Sequence, residues 1–332
     1  FKRMNKMRSN MRILAIGAAG FVGSNCVKLW VSQGREVIVY DLFTYAGRIE
    51  NLHDVRGKVT IIRGDVADQS TLLKVVNDYK PDLIINFAAE SHVDRSINEP
   101  AKFIHTNILG VYSLLEVVRM RKTPMIHIST DEVYGDMYGK EPADEESPLL
   151  PSSPYSASKA SADLLIFSYI RTYGLDAKIV RPSNMYGPYQ HPEKLIPRTI
   201  VRILLGKPAV IYGDGSDVRD YLYVGDFCEA LDLIIRRGND SVYNVPGGNP
   251  RTVKEVVESI IKILGRGDVI YGKPRPGGDR AYAMKGSRIT SLGWRPKTSW
   301  NEGLRHTVEW YVVNRWWWEP IVDDYVLRDQ PW

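Results

Sequence analysis

The chain has 332 residues, of which 44% are hydrophobic and 25% charged, and its formal net charge is +5. These proportions are those of an ordinary globular protein, and they exclude a disordered, collagen-like or coiled-coil chain. The chain contains no run of about 18 apolar residues, so we expect no membrane-spanning helix and no membrane partner.

The first ten residues carry several basic side chains and no apolar stretch of the secretory type. We interpret residues 1–10 as a flexible leader rather than a nucleic-acid-binding arm, and we expect no nucleic-acid partner. The two cysteines, Cys26 and Cys228, are far apart in sequence and form no C-x-x-C arrangement. We therefore expect neither a disulfide framework nor a cysteine-based metal site, and we expect a cytoplasmic location.

Short apolar segments alternate with amphipathic ones along the first half of the chain. The apolar segments predict buried strands at residues 12–17, 36–41, 59–64, 82–89, 125–130 and 177–181. The amphipathic segments predict helices at residues 21–33, 70–79, 101–121 and 155–173. Because strand and helix alternate repeatedly, we predict an α/β fold of the Rossmann type, with a doubly wound parallel sheet.

The pattern changes near residue 184, where loops rich in glycine and proline separate shorter elements. Helices are predicted there at residues 194–205, 226–237 and 252–264. We therefore predict a first domain at residues 11–183 and a smaller α/β domain for substrate at residues 184–332, with some chain returning to the first. Seven of the eight tryptophans lie between Trp294 and Trp332, and we interpret them as docking a final helix by burial.

A glycine-rich turn joins the first predicted strand to the first helix. Gly17, Gly20 and Gly23 suit a tight turn, the close approach of a pyrophosphate and the packing of helix on strand. The helix N-terminus then favours bound phosphate. Asp41 closes the second strand, where a carboxylate binds the ribose hydroxyls of adenosine and repels a 2′-phosphate. The sequence therefore predicts that the first domain binds NAD, with Asp65 placed to reach the adenine; the alternative for Asp41 is a turn residue.

Two pairs of side chains suggest catalysis in the same domain. Tyr155 and Lys159 lie one helical turn apart, so we predict that Lys159 lowers the pKa of Tyr155 and makes it a base toward a sugar or alcohol hydroxyl. Asp131 and Glu132 follow a strand that ends at Thr130, where two carboxyls can have unlike pKa values. One would be a general acid and the other a general base, and the alternative is a pair of solvated loop acids.

Several segments together resemble one family. They are residues 17–23, 41–47, 88–96, 129–135, 155–159, 186–195, 219–224, 275–276 and 307–311. The family is the extended short-chain dehydrogenases/reductases that modify sugar nucleotides. Within it the chain is most similar to the dTDP-glucose 4,6-dehydratases, and the acidic pair after Thr130 is the most specific part of that similarity.

The resemblance implies a hydro-lyase that converts dTDP-glucose into dTDP-4-keto-6-deoxyglucose. In this scheme Tyr155, with Lys159 beside it, takes the proton of the C4 hydroxyl while hydride passes to NAD, and Thr130 hydrogen-bonds that oxygen. Glu132 then removes the C5 proton, and Asp131 protonates the C6 hydroxyl so that water leaves. The hydride returns to C6, and C5 is reprotonated. NAD is regenerated in each cycle, so it is expected to stay tightly bound.

The resemblance also implies the residues that contact each ligand. The cofactor contacts are Phe21, Val22, Asp41, Leu42, Phe43, Thr44, Asp65, Val66, Ala88, Ala89, Ser91, Thr106, Tyr155 and Lys159, beside the three glycines of the turn. The substrate contacts are Ser91, Thr130, Asn184, Lys194, Leu195, Ile211, Tyr212, Arg219 and Arg275. Two arginines can clamp a diphosphate in bidentate fashion. The resemblance implies no metal. It implies a homodimer formed through the helices near residues 101–120 and 155–173, and a place in dTDP-rhamnose biosynthesis.

Four residues depart from those usual in the family near the nucleotide: Met185, Val210, Thr252 and Gly278. They leave the nucleotide open between dTDP and UDP. The alternatives are therefore a UDP-glucose 4,6-dehydratase and a UDP-sugar 4-epimerase on the same fold. An epimerase needs the tyrosine, the lysine and NAD, but it has no use for two elimination acids.

Overall fold

The computed structural model describes residues 11–275 and 278–329, so the predicted leader at residues 1–10 lies outside the described residues. Within them the strands are β1 (Arg12–Ile16), β2 (Glu36–Asp41), β3 (Thr60–Arg63), β4 (Leu83–Asn86), β5 (Met125–Ile128), β6 (Ala177–Pro182), β7 (Asn184–Tyr186), β8 (Ala209–Tyr212), β9 (Val218–Tyr223), β10 (Val242–Val245), β11 (Pro250–Thr252) and β12 (Val269–Gly272). All six strands predicted for the first half of the chain are present, most with slightly shorter bounds.

The α-helices are α1 (Phe21–Ser32), α2 (Gln69–Tyr79), α3 (Val93–Asn98), α4 (Pro100–Phe103), α5 (Gly110–Arg121), α6 (Pro154–Tyr173), α7 (Leu195–Leu204), α8 (Val224–Arg237), α9 (Val253–Leu264), α10 (Ser287–Ser291), α11 (Trp300–Val313), α12 (Arg315–Trp318) and α13 (Asp324–Leu327). A π-helical segment, Ile104–Leu109, joins α4 to α5. The 3₁₀ segments include Ile49–Lys58 and Asp131–Tyr134. Among the described residues, no helix combines the length and apolar character needed to cross a bilayer.

Seven strands form one parallel sheet, in the order β10-β6-β5-β4-β1-β2-β3. The order reverses between β1 and β4, and such a switch point leaves a ligand crevice beyond the carboxyl ends of the strands. The predicted doubly wound parallel sheet is therefore confirmed. The strand β10 comes late in the chain and pairs with β6 at one edge of the sheet.

Each face of this sheet is covered by its own helices, because alternate strand residues point to opposite sides. Ile13 and Ala15 of β1 pack into a core cluster with residues of α1 and α8. Leu14 and Ile16 of the same strand pack into a second cluster with α2, α5 and α6. Both faces are dry, which explains why the parallel strands are continuously apolar in sequence.

The later part of the chain builds a smaller unit beside the sheet. It contains a three-stranded sheet, β11-β9-β7, and a parallel pair, β12-β8. Its core brings α7, α9 and α11 together around buried aromatic rings, including Trp300, Trp317 and Trp318. The Trp317 indole also donates a hydrogen bond to the Asn51 side chain at 2.8 Å. Burial of Trp300, Trp317 and Trp318 agrees with the sequence prediction for this region, whereas Trp316 is exposed and Trp332 lies outside the described residues. The domain division at residue 183 stays a prediction.

A buried polar network supports the turn that carries the acidic pair. The Arg181 guanidinium on β6 donates to Asp163 of α6 at 2.9 Å and to the hydroxyl of Tyr134 at 2.7 Å. Tyr134 in turn donates to Asn244 of β10 at 2.8 Å. The side chains of Arg181 and Asp163 are 2% and 0% exposed. An unpaired charge at this depth is strongly disfavoured, so these partners fix one another.

We predict that Arg181→Met destabilises the protein by about 3–5 kcal/mol, because Asp163 and Tyr134 lose their buried partner. Urea unfolding followed by circular dichroism measures this loss. The control is Glu141→Gln, which removes an exposed ion pair to Lys285 and should change stability by less than about 1 kcal/mol. A loss for Arg181→Met no larger than that of the control would contradict the role given to this network.

Candidate active site

A cavity of about 250 Å³ lies at the carboxyl ends of the central strands, beside the glycine-rich turn. Nearly all predicted cofactor contacts line it: Gly17, Gly20, Phe21, Val22, Gly23, Asp41, Leu42, Thr44, Asp65, Val66, Ala88, Ala89, Ser91, Thr106, Tyr155 and Lys159. Phe43 does not line it. The Phe43 side chain packs against the core cluster around α1 instead, and its backbone N–H donates to Asp41.

Each of the three glycines of the turn is required for a different structural reason. Gly17 has φ +71°, and a Cβ there would lie 2.4 Å from the Ala88 backbone of β4's following loop. A Cβ at Gly23 would lie 2.5 Å from Ala18, so this glycine allows α1 to pack on the turn. At Gly20 the nearest atom to an added Cβ is the Gly17 oxygen at 3.3 Å, and Gly20 borders the cavity. A side chain at Gly20 would occupy space beside the helix N-terminus.

Asp41 is held rigidly at the end of β2. Its carboxylate accepts hydrogen bonds from the backbone of Ala19 at 2.9 Å and of Phe43 at 2.8 Å. Burial raises the pKa of Asp41, and these two hydrogen bonds oppose the rise. Asp65, at the end of β3, accepts from the Ala67 backbone at 2.9 Å. Both acids therefore have fixed orientations at the edge of the cavity.

These observations fit a dinucleotide. Within the described residues, no side chain caps the N-terminus of α1, and its first turn carries no acid, so its N–H groups and positive dipole end are available to phosphate. Gly20 leaves room for close approach, and Asp41 supplies a fixed acceptor for ribose hydroxyls. NAD would therefore be held by the turn, the start of α1 and the end of β2. The described residues contain no cluster of three or more acidic, histidine or cysteine side chains placed to hold a metal.

A larger cavity of about 610 Å³ lies between the two parts of the chain. Six predicted substrate contacts line it: Asn184, Lys194, Leu195, Tyr212, Arg219 and Arg275. Ser91 lines the smaller cavity instead. The two cavities share Met185, Gln190, Glu193 and Lys194 among their lining residues, so they adjoin one another.

Two residues expected near the nucleotide face elsewhere. Ile211 is 1% exposed and packs in the core of the smaller unit, because its neighbours Val210 and Tyr212 on β8 point the other way, into the cavity. The hydroxyl of Thr252 caps α9 and exchanges hydrogen bonds with Glu255. The departures Met185, Val210 and Gly278 do line the larger cavity.

Two arginines face this cavity, one from strand β9 and one from the loop after β12. Arg219 on β9 donates to the backbone oxygens of Val218 at 2.8 Å and Asp279 at 2.9 Å. Arg275 pairs with the buried carboxylate of Asp94 at 2.5 Å. Because both guanidinium groups are held by protein partners, their positions suit a diphosphate that lies between them.

The acidic pair lies in a tight turn, Asp131–Tyr134, at the end of β5. The Thr130 hydroxyl begins this turn by accepting a hydrogen bond from the Glu132 N–H at 3.3 Å. Gly135 ends it with φ +74°, and a Cβ there would lie 2.0 Å from the Leu150 carbonyl oxygen. Glu132 lines the larger cavity, whereas Thr130 and Asp131 line neither cavity and lie directly behind it. The alternative of solvated loop acids is wrong, because both carboxyls are buried.

The two carboxyls have unlike surroundings. Burial raises the pKa of Asp131 well above its usual range, and the charges of Glu132 and Asp220 add to the rise. Its surroundings therefore favour the neutral, proton-bearing form of Asp131.

Glu132 is also buried, but the charged groups around it differ from those around Asp131. Burial raises its pKa, but the three cations of the larger cavity, Lys194, Arg219 and Arg275, oppose that rise. The ionised form is therefore better tolerated at Glu132 than at its neighbour. This asymmetry matches the predicted division into one acid and one base.

Tyr155 and Lys159 lie in the first two turns of α6, which begins at Pro154 after a Ser153 cap. Lys159 donates to the Ile128 carbonyl at 2.7 Å, its amine lies 3.2 Å from His127 Nε2, and burial lowers its pKa to about 8. In this structure the pKa of Tyr155 is raised rather than lowered. The prediction of a lowered Tyr155 pKa is therefore wrong here, because burial and the charge of Glu132 raise this pKa.

Sequence reasoning missed several residues that position the site. Tyr282 donates to Asp279 at 2.8 Å and lies 3.4 Å from Glu132 Oε2. Asn107, in the π-helical segment, accepts a hydrogen bond from the Glu90 N–H and donates one to the Glu90 carbonyl. It also donates to Ser158 of α6 at 2.9 Å. No spacing rule relates these residues to the catalytic motifs, although a buried asparagine within an apolar helix could have signalled such a bridge.

Comparisons with known proteins agree with this geometry. A model of the family described as GDP-mannose 4,6 dehydratase matches residues 14–307. A probable dTDP-glucose 4,6-dehydratase of Sinorhizobium fredii is 43% identical, over 94% of this chain and 96% of that protein. The dTDP-glucose 4,6-dehydratase of Streptomyces venezuelae, solved with NAD bound, is 41% identical with a TM-score of 0.91, over 94% of this chain and all of that one.

The fold is shared more widely than the reaction. The UDP-glucose 4-epimerase of Thermus thermophilus, solved with NAD, is 33% identical with a TM-score of 0.86, over 91% of this chain and 99% of that one. The family resemblance predicted from the sequence is confirmed by the full-length relatives. Because the family model matches most of this chain, the chain belongs to the family described as GDP-mannose 4,6 dehydratase, alongside the dTDP-glucose 4,6-dehydratases that it resembles.

Proposed function

We propose that this protein is an NAD-dependent hydro-lyase that converts dTDP-glucose into dTDP-4-keto-6-deoxyglucose. The observation that carries the proposal is the buried acidic pair, in which burial and neighbouring carboxylates favour the neutral form of Asp131 and Glu132 faces the larger cavity among three cations. An elimination of water needs one proton donor and one proton acceptor on the same substrate. Relatives named dTDP-glucose 4,6-dehydratase at 40–43% identity favour dTDP-glucose as the substrate.

The catalytic tyrosine and lysine serve the first step. NAD, when bound, supplies a reversible hydride acceptor for the sugar carbon. Tyr155 borders the smaller cavity and is positioned to remove the proton of the C4 hydroxyl as substrate enters from the larger one. Lys159 is anchored on the β5 backbone, so its charge can stabilise the phenolate as that proton leaves.

The acidic pair serves the elimination. Once C4 is a ketone, the C5 proton is acidified, and the Glu132 carboxylate removes it. Asp131 then protonates the departing C6 hydroxyl, because its burial keeps the proton on the acid until the leaving group develops negative charge. Thr130 shares a hydrogen bond with Asp131 at 3.2 Å and with Tyr155, so it aligns the base of the first step with the acid of the second.

Nucleotide recognition is proposed for the larger cavity. Arg219 and Arg275 clamp the diphosphate, while Lys194, which donates to the Ser91 carbonyl at 2.5 Å, reaches toward the sugar at the junction of the cavities. Asn184, Leu195 and Tyr212 complete the wall that we propose contacts the substrate.

We also propose a homodimer built on α5 and α6. Large apolar side chains are exposed along these helices and the π-helical segment before α5: Ile104, Leu109, Tyr112, Met120, Leu164 and Tyr173. A surface patch of this kind is typical of a protein interface. A place in dTDP-rhamnose biosynthesis and a cytoplasmic location stay predictions.

The substrate experiment incubates the purified protein with dTDP-glucose and, separately, with UDP-glucose. We expect the loss of one water from dTDP-glucose by mass spectrometry and a 4-keto product by its absorbance in alkali. Faster turnover of UDP-glucose would correct the nucleotide and leave the reaction standing. An unchanged mass with the galactose epimer as product would overturn the dehydratase assignment in favour of the epimerase.

We predict that Glu132→Gln lowers dehydration by about 10²–10⁴-fold, because the base for the C5 proton is lost. Oxidation at C4 does not use this base, so the variant with excess dTDP-glucose should still show the near-ultraviolet absorbance of reduced NAD. Glu141→Gln, at a carboxylate 92% exposed, is the matched control and should keep full turnover. Absence of the reduced-NAD signal in Glu132→Gln, with the fold intact, would count against the separate roles.

We predict that the protein binds NAD at least about tenfold more tightly than NADP, because the Asp41 carboxylate repels a 2′-phosphate. Asp41→Asn removes the charge and retains an oxygen for the Ala19 N–H, so the two affinities should converge. Isothermal titration calorimetry on protein stripped of nucleotide measures both. Glu36→Gln, at the opposite end of β2, should leave the preference unchanged. Equal affinities in the unmodified protein would refute the assigned role of Asp41.

A further inference from the structure

The fold brings the two cysteines of the chain together. Cys26 lies on α1 and Cys228 on α8, 202 residues apart in sequence, yet their Sγ atoms are 3.0 Å apart. This separation is shorter than the roughly 3.5–4.0 Å at which even two carbon atoms are in van der Waals contact. Both side chains are buried, their contact has the geometry of a hydrogen bond between the thiols, and neither cysteine forms a disulfide. Although the two cysteines are far apart in sequence, the packing of α1 against α8 therefore brings their thiols together.

The helices that carry the cysteines are fixed against each other. Arg35, just after α1, pairs with Asp232 of α8 at 2.5 Å, and both side chains are 7% exposed. Asp232 also pairs with Arg236 one turn further along α8 at 2.9 Å. Apolar side chains of both helices share one core cluster. The two thiols are therefore held close by the surrounding structure rather than by chance rotation of two free side chains.

The local chemistry favours the reduced pair until an oxidant reaches it. Burial raises the pKa of Cys26 well above its usual range, and the neighbouring Cys228 and Asp232 add to the rise. The reactive thiolate is therefore rare in the closed structure. The chain has no third cysteine that could compete for either partner.

We propose that Cys26 and Cys228 form an oxidation site, at which a peroxide converts the two thiols into an internal disulfide between α1 and α8. The first thiolate attacks the peroxide O–O bond, which gives a sulfenic acid and hydroxide. The second thiol sulfur then displaces hydroxide from that sulfenic acid, so the S–S bond forms and water leaves. In total two thiols lose two electrons and two protons to one hydrogen peroxide, which becomes two waters.

The position of this bond gives it a structural effect beyond the two residues. α1 follows the glycine-rich turn of the smaller cavity, and α8 follows β9, which carries Arg219 of the larger cavity. The disulfide would join the helices behind the two cavities and close a loop of about 200 residues in the unfolded chain. Closure of so long a loop strongly reduces the freedom of the unfolded state. Oxidation should therefore slow thermal unfolding without adding a group to either cavity.

The test treats the full-length protein with hydrogen peroxide at several temperatures below its unfolding transition, then denatures and alkylates it. We expect two alkyl groups per chain before treatment and none after it. A proteolytic digest should contain one cross-linked pair of peptides, with Cys26 in one and Cys228 in the other. The unfolding temperature should rise by about 5 °C or more, and dithiothreitol should reverse the change.

The Cys26→Ala/Cys228→Ala double variant controls for oxidation of methionine and should show no peroxide-dependent rise in unfolding temperature. Each single variant should keep one alkylatable thiol or convert it to a higher oxide, with no cross-link. The proposal is overturned if both cysteines of the unmodified protein stay alkylatable throughout. It is equally overturned if peroxide converts them separately to sulfinic acids.

Discussion

The buried Arg181 guanidinium is the contact on which the catalytic end of the sheet depends. It joins three elements that are distant in sequence: Asp163 of α6, Tyr134 of the acidic turn and, through Tyr134, Asn244 of β10. A charge at this depth requires all of its partners, so the helix that carries the tyrosine and lysine and the turn that carries the two acids are held in one arrangement. The geometry of the site therefore depends on the hydrogen bonds that the buried Arg181 guanidinium requires.

Electrostatic asymmetry then differentiates groups that are chemically alike. Asp131 and Glu132 are adjacent buried carboxylic acids, yet three cations of the larger cavity oppose the rise in the Glu132 pKa, whereas at Asp131 the charges of Glu132 and Asp220 exceed the opposing effect of Arg219. Neighbouring residues on a tight turn must point in different directions, so one short segment can present both an acid and a base. The same cations are those that suit a diphosphate, which links recognition of the nucleotide to the ionisation of the base.

The parallel sheet and most of the cofactor site could be predicted from the sequence, because glycine spacing, strand-end acids and apolar runs are local patterns. The side of β8 on which Ile211 lies could not be predicted. The sequence does not show which alternate residues of this strand face the core until the strand packs against its neighbours. Tyr155 was predicted with the wrong pKa direction, since burial and the charge of Glu132 depend on the whole fold. Asn107 and Tyr282 reach the site through tertiary contacts that leave no motif.

The edge position of β10 has a consequence for how the chain is made. The main sheet is completed only when residues 242–245 pair with β6, after β7, β8 and β9 of the smaller unit have been synthesised. A nascent chain that ends before β10 has an open edge at β6 and an acidic turn whose Tyr134 lacks Asn244. Pairing between such distant segments is slow because a long loop must close first. The acidic turn therefore gains the hydrogen bond between Tyr134 and Asn244 only after β10 has been synthesised, whereas the glycine-rich turn and Asp41 come near the start of the chain.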